Sequence, residues 1–177
     1  MRLVIVTAGA AWVADRLLRA RAGDDPPAPV DVLIVIDAPI ERVWARIADI
    51  EAQPRWMTDL KSVRMETPGR HGVGARGVAT VRMLGIAVED PVTIVEFDPP
   101  TRYAVRHEGA FSGTGTMTLD AGADRSTTIV RWREALVAPV LPYVAAVATA
   151  PVFRYVFQRD LERLRDLVEA GAADQAA

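Results

Sequence analysis

The stretch Val30-Asp31-Val32-Leu33-Ile34-Val35-Ile36-Asp37-Ala38-Pro39-Ile40-Glu41-Arg42-Val43-Trp44-Ala45-Arg46-Ile47 changes its period part-way along, and that change decides how the chain folds. Up to Ile36 the residues are mostly β-branched, and Asp37 and Pro39 close the run, which is the pattern of a strand. Beyond Pro39 the apolar residues fall at 40, 43, 44 and 47, one face of an amphipathic helix of about three turns with proline near its start. A second short helix is predicted over 50–56, with Asp49 as its cap.

Downstream, strands are predicted at 62–66, 77–83, 87–97, 103–108, 113–119 and 127–136. The breaks between them include Asp98-Pro99-Pro100, Gly109-Ala110 and Asp120-Ala121-Gly122-Ala123-Asp124, short enough to make the pairs antiparallel. The last element, 143–170, is a long helix with apolar residues at 153, 156, 157, 161, 164 and 168 and charge on its other side. A strand, two short helices, about six antiparallel strands and a terminal helix make an α+β domain in which the helix covers one face of the sheet.

Upstream, Leu3 to Ala14 is an uncharged run of twelve residues followed by several arginines. It is short against the ~20 residues of a spanning helix. Three readings are open for it: a helix docked on the domain or lying on a membrane surface, a membrane anchor, or a signal peptide. Gly23-Asp24-Asp25-Pro26-Pro27-Ala28-Pro29 reads as a linker. The expected organisation is therefore 1–29 as apolar helix and linker, 30–171 as the folded domain, and 172–177 as a flexible tail.

The 177 residues, half of them apolar with a formal net charge of −2, suit one globular domain with a sizeable core and exclude disorder as the main state. With 21 basic against 23 acidic residues there is no electrostatic footprint for nucleic acid. The absence of cysteine, with histidine only at 71 and 107, removes disulfides, thiolate catalysis, zinc fingers and iron–sulfur ligation. No metal site and no cofactor is expected. Gly72-Val73-Gly74-Ala75-Arg76-Gly77 spells the dinucleotide fingerprint, but the strand-like Val78-Ala79-Thr80-Val81 follows it where a helix N-terminus is required. His71 beside it reads as an exposed turn residue.

The segment Ile36-Asp37-Ala38-Pro39-Ile40-Glu41-Arg42-Val43-Trp44, followed by Ile47-Ala48-Asp49-Ile50-Glu51 and Pro54-Arg55-Trp56, resembles the opening of the START-like, Bet v 1-like (SRPBCC) superfamily, in its polyketide cyclase/dehydrase branch. Glu96-Phe97-Asp98-Pro99-Pro100-Thr101-Arg102-Tyr103 is similar to that branch's strand-turn-strand with paired prolines. Asp160-Leu161-Glu162-Arg163-Leu164 is similar to its terminal helix. The resemblance covers about 140 residues. It implies a helix-grip fold, a seven-stranded antiparallel curved sheet wrapped around the long C-terminal helix, enclosing an apolar cavity for lipids, polyketides or other hydrophobic molecules. It supplies no universal catalytic residue, so function rests on what lines this cavity.

Strand alternation selects the lining. Tyr103, Val105 and His107 face inward, while Arg102, Ala104, Arg106 and Glu108 face water. Val81 and Met83, Met117, and Val130, Trp132 and Glu134 occupy the inner faces of their strands. Trp132 and Trp56 are candidates for wall and plug of the cavity, and Phe153 and Phe157, one helical turn apart, face the sheet. Two inward residues are ionisable. If the turns at 109–110 and 120–124 are tight, His107 and Glu134 both pair near Ser112, two strand spacings or about 10 Å apart, a gap that a water or a ligand polar group would bridge.

The expectation is a binder of a hydrophobic small molecule. One alternative is a polyketide cyclase or dehydratase using His107 and Glu134 for proton transfer. Another is a membrane-associated accessory protein, touching a membrane peripherally through 1–21 and the apolar segment 137–147. A cytoplasmic location is expected, with membrane association through the N-terminal segment as the variant. Ligand identity and oligomeric state are not encoded in any motif.

Overall fold

A computed structural model describes residues 2–68, 72–83 and 86–176, with the surroundings of side chains given for 9–68, 72–82 and 86–171. The elements run α1 (Arg2–Ala22), β1 (Val30–Ile36), α2 (Ile40–Ile47), a 3-10 helix (Ile50–Arg55), β2 (Leu60–Met65), β3 (Arg76–Met83), β4 (Ile86–Asp98), β5 (Arg102–Glu108), β6 (Ser112–Ala121), β7 (Thr128–Val137) and α3 (Pro142–Ala176). The strands form one antiparallel curved sheet in the order β1-β7-β6-β5-β4-β3-β2. This is the α+β helix-grip architecture.

Strict alternation in β1 buries Val30, Val32, Ile34 and Ile36 and leaves the intervening residues outside, so the sheet has one core face and one wet face. α2 lays Val43, Trp44 and Ile47 against that core face. Its neighbour, the second short helix expected from sequence, is a 3-10 helix. Pro54 lies within it, and the Asp49 side chain accepts from Ala52 N–H at 3.3 Å.

α3 starts at Pro142, where the missing N–H costs nothing, and buries Leu161, Leu164 and Val168 on the sheet and α2. It continues to Ala176, so residues 172–176 prolong the helix rather than forming a separate tail. α1 docks on its first turn. Asp15 Oδ1 accepts from the backbone N–H groups of Tyr143 and Val144 at 2.9 and 3.0 Å, and the Tyr143 hydroxyl donates to the Asp25 carbonyl at 3.0 Å. A carboxylate from one helix thus caps another, where orphan donors and the helix dipole favour negative charge.

One local reading changes. Ala104, expected in water, is fully buried: its small side chain lies on the outer face among Arg102, Arg106, Glu96 and Thr116, all of them longer. Gly72 and Gly74 take positive φ in the turn that leads into β3, so a strand and not a helix follows the glycine-rich run. His71 lies outside the described residues.

Candidate functional site

The core face of the sheet is hollow at one end. Between β3–β7, the 3-10 helix and α3 lies a cavity of ≈190 Å³. Val81, Tyr103, Val105, Met117, Trp132, Phe153, Phe157, His107 and Glu134 line it. Trp56 and Val130 do not: Trp56 is buried in the core with its ring edge-on to Trp132 at 6.3 Å, and Val130 is fully buried beside Ile34 and Leu119. The Met83 side chain lies outside the described residues.

The α3 wall is aromatic. Phe153 stacks on Phe157 with centroids 5.6 Å apart, and Phe157 lies 4.5 Å from Trp132. Tyr103 is buried, and its hydroxyl faces the Gln53 amide without a hydrogen bond of ordinary geometry. Burial pushes its ionisation well above the usual phenol range. Asp160, on α3, fixes the loop after the 3-10 helix by accepting from Thr58 N–H at 2.8 Å and Thr58 O–H at 2.7 Å. Burial raises the pKa of this carboxyl.

The polar end is tighter than the sequence suggested. His107 pairs across β5–β6 with Gly113, and Glu134 pairs across β6–β7 with Gly115. With glycine at both intervening positions, nothing on β6 stands between the two side chains. They meet directly, His107 Nε2 to Glu134 Oε1 at 3.2 Å, where a bridged gap was expected. A Cβ at Gly115 would lie 2.5 Å from Glu134 Oε2, and one at Gly113 would collide with the Ala135 carbonyl. The alternation Gly113-Thr114-Gly115-Thr116 is the signal in the sequence that foretells this contact.

A third member of the cluster comes from β4. Asp90 Oδ2 lies 2.6 Å from His107 Nδ1, and its Oδ1 accepts from Gly109 N–H at 3.0 Å. The β4–β5 ladder is paired from Val92 onward, and Pro91, which has no N–H to give, falls just outside it. Continuing that register sets Asp90 opposite Gly109, and a Cβ there would meet the Asp90 side chain.

Glu134, whose side chain is 6% exposed, also receives the Trp132 indole N–H on Oε2 at 2.7 Å. Its Oε1, despite the nearby imidazole, accepts no hydrogen bond of ordinary angle. Burial alone would lower the His107 pKa, but the two carboxylates outweigh it and raise the value to about 10. The imidazole is therefore charged at neutral pH, held between two acids.

Among the described residues no group of three or more His, Asp or Glu is placed to hold a metal ion, and no helix is long and apolar enough to cross a membrane.

A sheet gripping a helix over an apolar cavity with one polar end defines a class of hydrophobic-ligand-binding folds. The family model described as polyketide cyclase/dehydrase and lipid transport matches residues 27–169, and the chain belongs to that family. Solved structures agree on the fold. A protein from Nitrosospira multiformis is 23% identical with a TM-score of 0.60, covering 78% of this chain and 94% of its own. One from Thermus thermophilus is 20% identical with a TM-score of 0.66, covering 81% and 98%. One from Helicobacter pylori is 12% identical with a TM-score of 0.67, covering 82% and 90%. No curated protein matches the sequence.

Proposed function

We propose that the chain binds a hydrophobic small molecule non-covalently in the cavity between sheet and α3. The observation that carries this reading is the ≈190 Å³ space, walled by aliphatic and aromatic side chains and closed at one end by Asp90, His107 and Glu134. Apolar surface entering it gains about 25 cal/mol per Å². A cavity of about 150 Å³ holds benzene, whereas drug-sized sites begin near 300 Å³, so the occupant fitting this conformation has about one or two rings. Native mass spectrometry of freshly purified protein, followed by titration with small arenes, tests the reading. A saturable one-to-one complex is the expected result, and a chain that stays empty against the whole panel overturns it.

The contact of His107 with Glu134 favours an enzymatic second reading, a cyclase or dehydratase. There the substrate opens the His107–Glu134 contact, the imidazolium Nε2–H polarises a substrate carbonyl and Glu134 accepts the adjacent proton. Turnover of a poly-β-ketone should be abolished by His107→Ala and by Glu134→Gln with binding retained; unchanged turnover in both removes this reading.

A peripheral membrane contact is supported by a separate surface. Trp12, Val13 and Leu17 of α1 are exposed beside Arg16, Arg19 and Arg21, and Val140 and Val147 are exposed near the start of α3. The side chains of residues 2–8, the most apolar part of segment 1–21, lie outside those described. Flotation with anionic vesicles should carry the full chain up and leave a Trp12→Asp, Leu17→Asp variant behind; equal partitioning excludes the contact.

A further inference from the structure

The charges around the cavity are one-sided. Asp59, Glu89, Asp90, Glu134 and Asp160 line it, and neither arginine nor lysine does among the described residues. The one cation, His107, has both ring nitrogens turned to carboxylates, Nδ1 to Asp90 and Nε2 to Glu134, so an incoming anion has to displace a carboxylate to reach either of them. Gln53 donates one of its two side-chain N–H groups to the Ile47 carbonyl, and the Trp132 N–H is committed to Glu134. What is left over is acceptor capacity. Glu134 Oε1 is buried and keeps unused lone pairs: it faces His107 Nε2 at 3.2 Å without a hydrogen bond of ordinary geometry, and a carboxylate carries about four lone-pair sites. The Tyr103 hydroxyl, elsewhere on the cavity wall and facing the Gln53 amide, can accept or donate.

From this balance we infer that the occupant is a compact apolar molecule ending in a cationic hydrogen-bond donor such as a protonated amine, and that compounds ending in a carboxylate are rejected. The inference rests on the cavity-binding reading and narrows it to a chemical class. A protonated amine sets its N–H on Glu134 Oε1 and offsets the unbalanced charge of two carboxylates against one imidazolium. A neutral hydroxyl makes the hydrogen bond without the charge compensation. A carboxylate meets two like charges with few donors to compensate it.

The test uses the full chain at pH 7 and four probes with the same ring: toluene, phenethylamine, phenethyl alcohol and phenylacetate, titrated by calorimetry and by ligand-detected NMR. Toluene should bind saturably. Phenethylamine should bind at least tenfold tighter than phenylacetate, with the alcohol between them. In Glu134→Gln and in Asp90→Asn, each checked for native folding by its NMR spectrum, the amine's advantage should shrink to under threefold. If toluene binds while phenylacetate or the alcohol equals the amine, or while none of the three polar probes binds, the assigned class is wrong and the cavity reading stands. Failure of all four probes overturns both. An amine preference that survives intact in both folded variants overturns the assignment to these carboxylates.

Discussion

The core face of the sheet is solid at one end and hollow at the other, although the same strands and the same helix build both. At the solid end Ile34, Ile36, Leu119 and Val130 meet Leu161, Leu164 and Val168 of α3, with Val43 and Ile47 of α2 closing the side. At the hollow end α3 presents Phe153 and Phe157, the cover is a 3-10 helix and its following loop, and β6 supplies glycine at two inward positions. The difference teaches that the cavity is made by subtraction. Side chains are missing from β6 where two charged neighbours need room, and those charges resist the collapse that apolar residues would undergo.

Substitutions that treat the two ends alike should therefore give unequal results. Leu164→Ala opens a void in close packing and should cost about 2–5 kcal/mol, whereas Val105→Ala beside existing space should cost about 1 kcal/mol. Urea unfolding with a common slope measures both, and equal losses would mean that the hollow end is as tightly packed as the other. Gly115→Ala drives a methyl against Glu134 and should cost about 1–3 kcal/mol by overpacking, with toluene affinity reduced at least tenfold. Calorimetry checks it, and undiminished affinity would separate the glycine from the cavity's shape.

The charged cluster adds a pH signature that the solid end lacks. His107 is raised from 6.5 to about 10, so the folded state holds its proton more tightly than the unfolded chain. The stabilisation is complete below about pH 6.5 and is lost as pH climbs towards 10. NMR titration of the imidazole should place its midpoint near 10, and His107→Gln should flatten the decline in stability across that window. A midpoint near 6.5 would contradict the pairing. A small effect is expected away from both ends: Asp15→Ala removes the carboxylate cap of α3 and should cost about 1 kcal/mol. Hydrogen exchange should rise at Tyr143 and Val144 and stay unchanged at Leu161 and Leu164.

The solid end was the legible one. Period-two alternation in β1 and the apolar face of α3 name its residues, because the signal is repeated many times and tolerates errors of a residue or two. The same alternation turned His107 and Glu134 inward. Their direct contact depends on the register of two hairpins and on what is missing from β6, which a search for functional side chains passes over. Asp90 was not legible because no period-two pattern sets its facing in the strand over 87–97, and because one of its two partners, the Gly109 amide, is a backbone group. Trp56 looked like a cavity plug from its size, but its place behind Trp132 is fixed by packing against other elements, which local pattern does not encode.

The Trp132 indole N–H donates to a buried carboxylate while its ring forms part of the cavity wall. Its emission colour is therefore tied to the electric field at Glu134, and an occupant that changes this field or displaces water from the ring shifts the spectrum. The protein thus carries its own optical gauge of occupancy, readable without a label. The other three tryptophans add background: Trp12 on exposed α1 is removed by Trp12→Phe, while buried Trp44 and Trp56 remain to be subtracted.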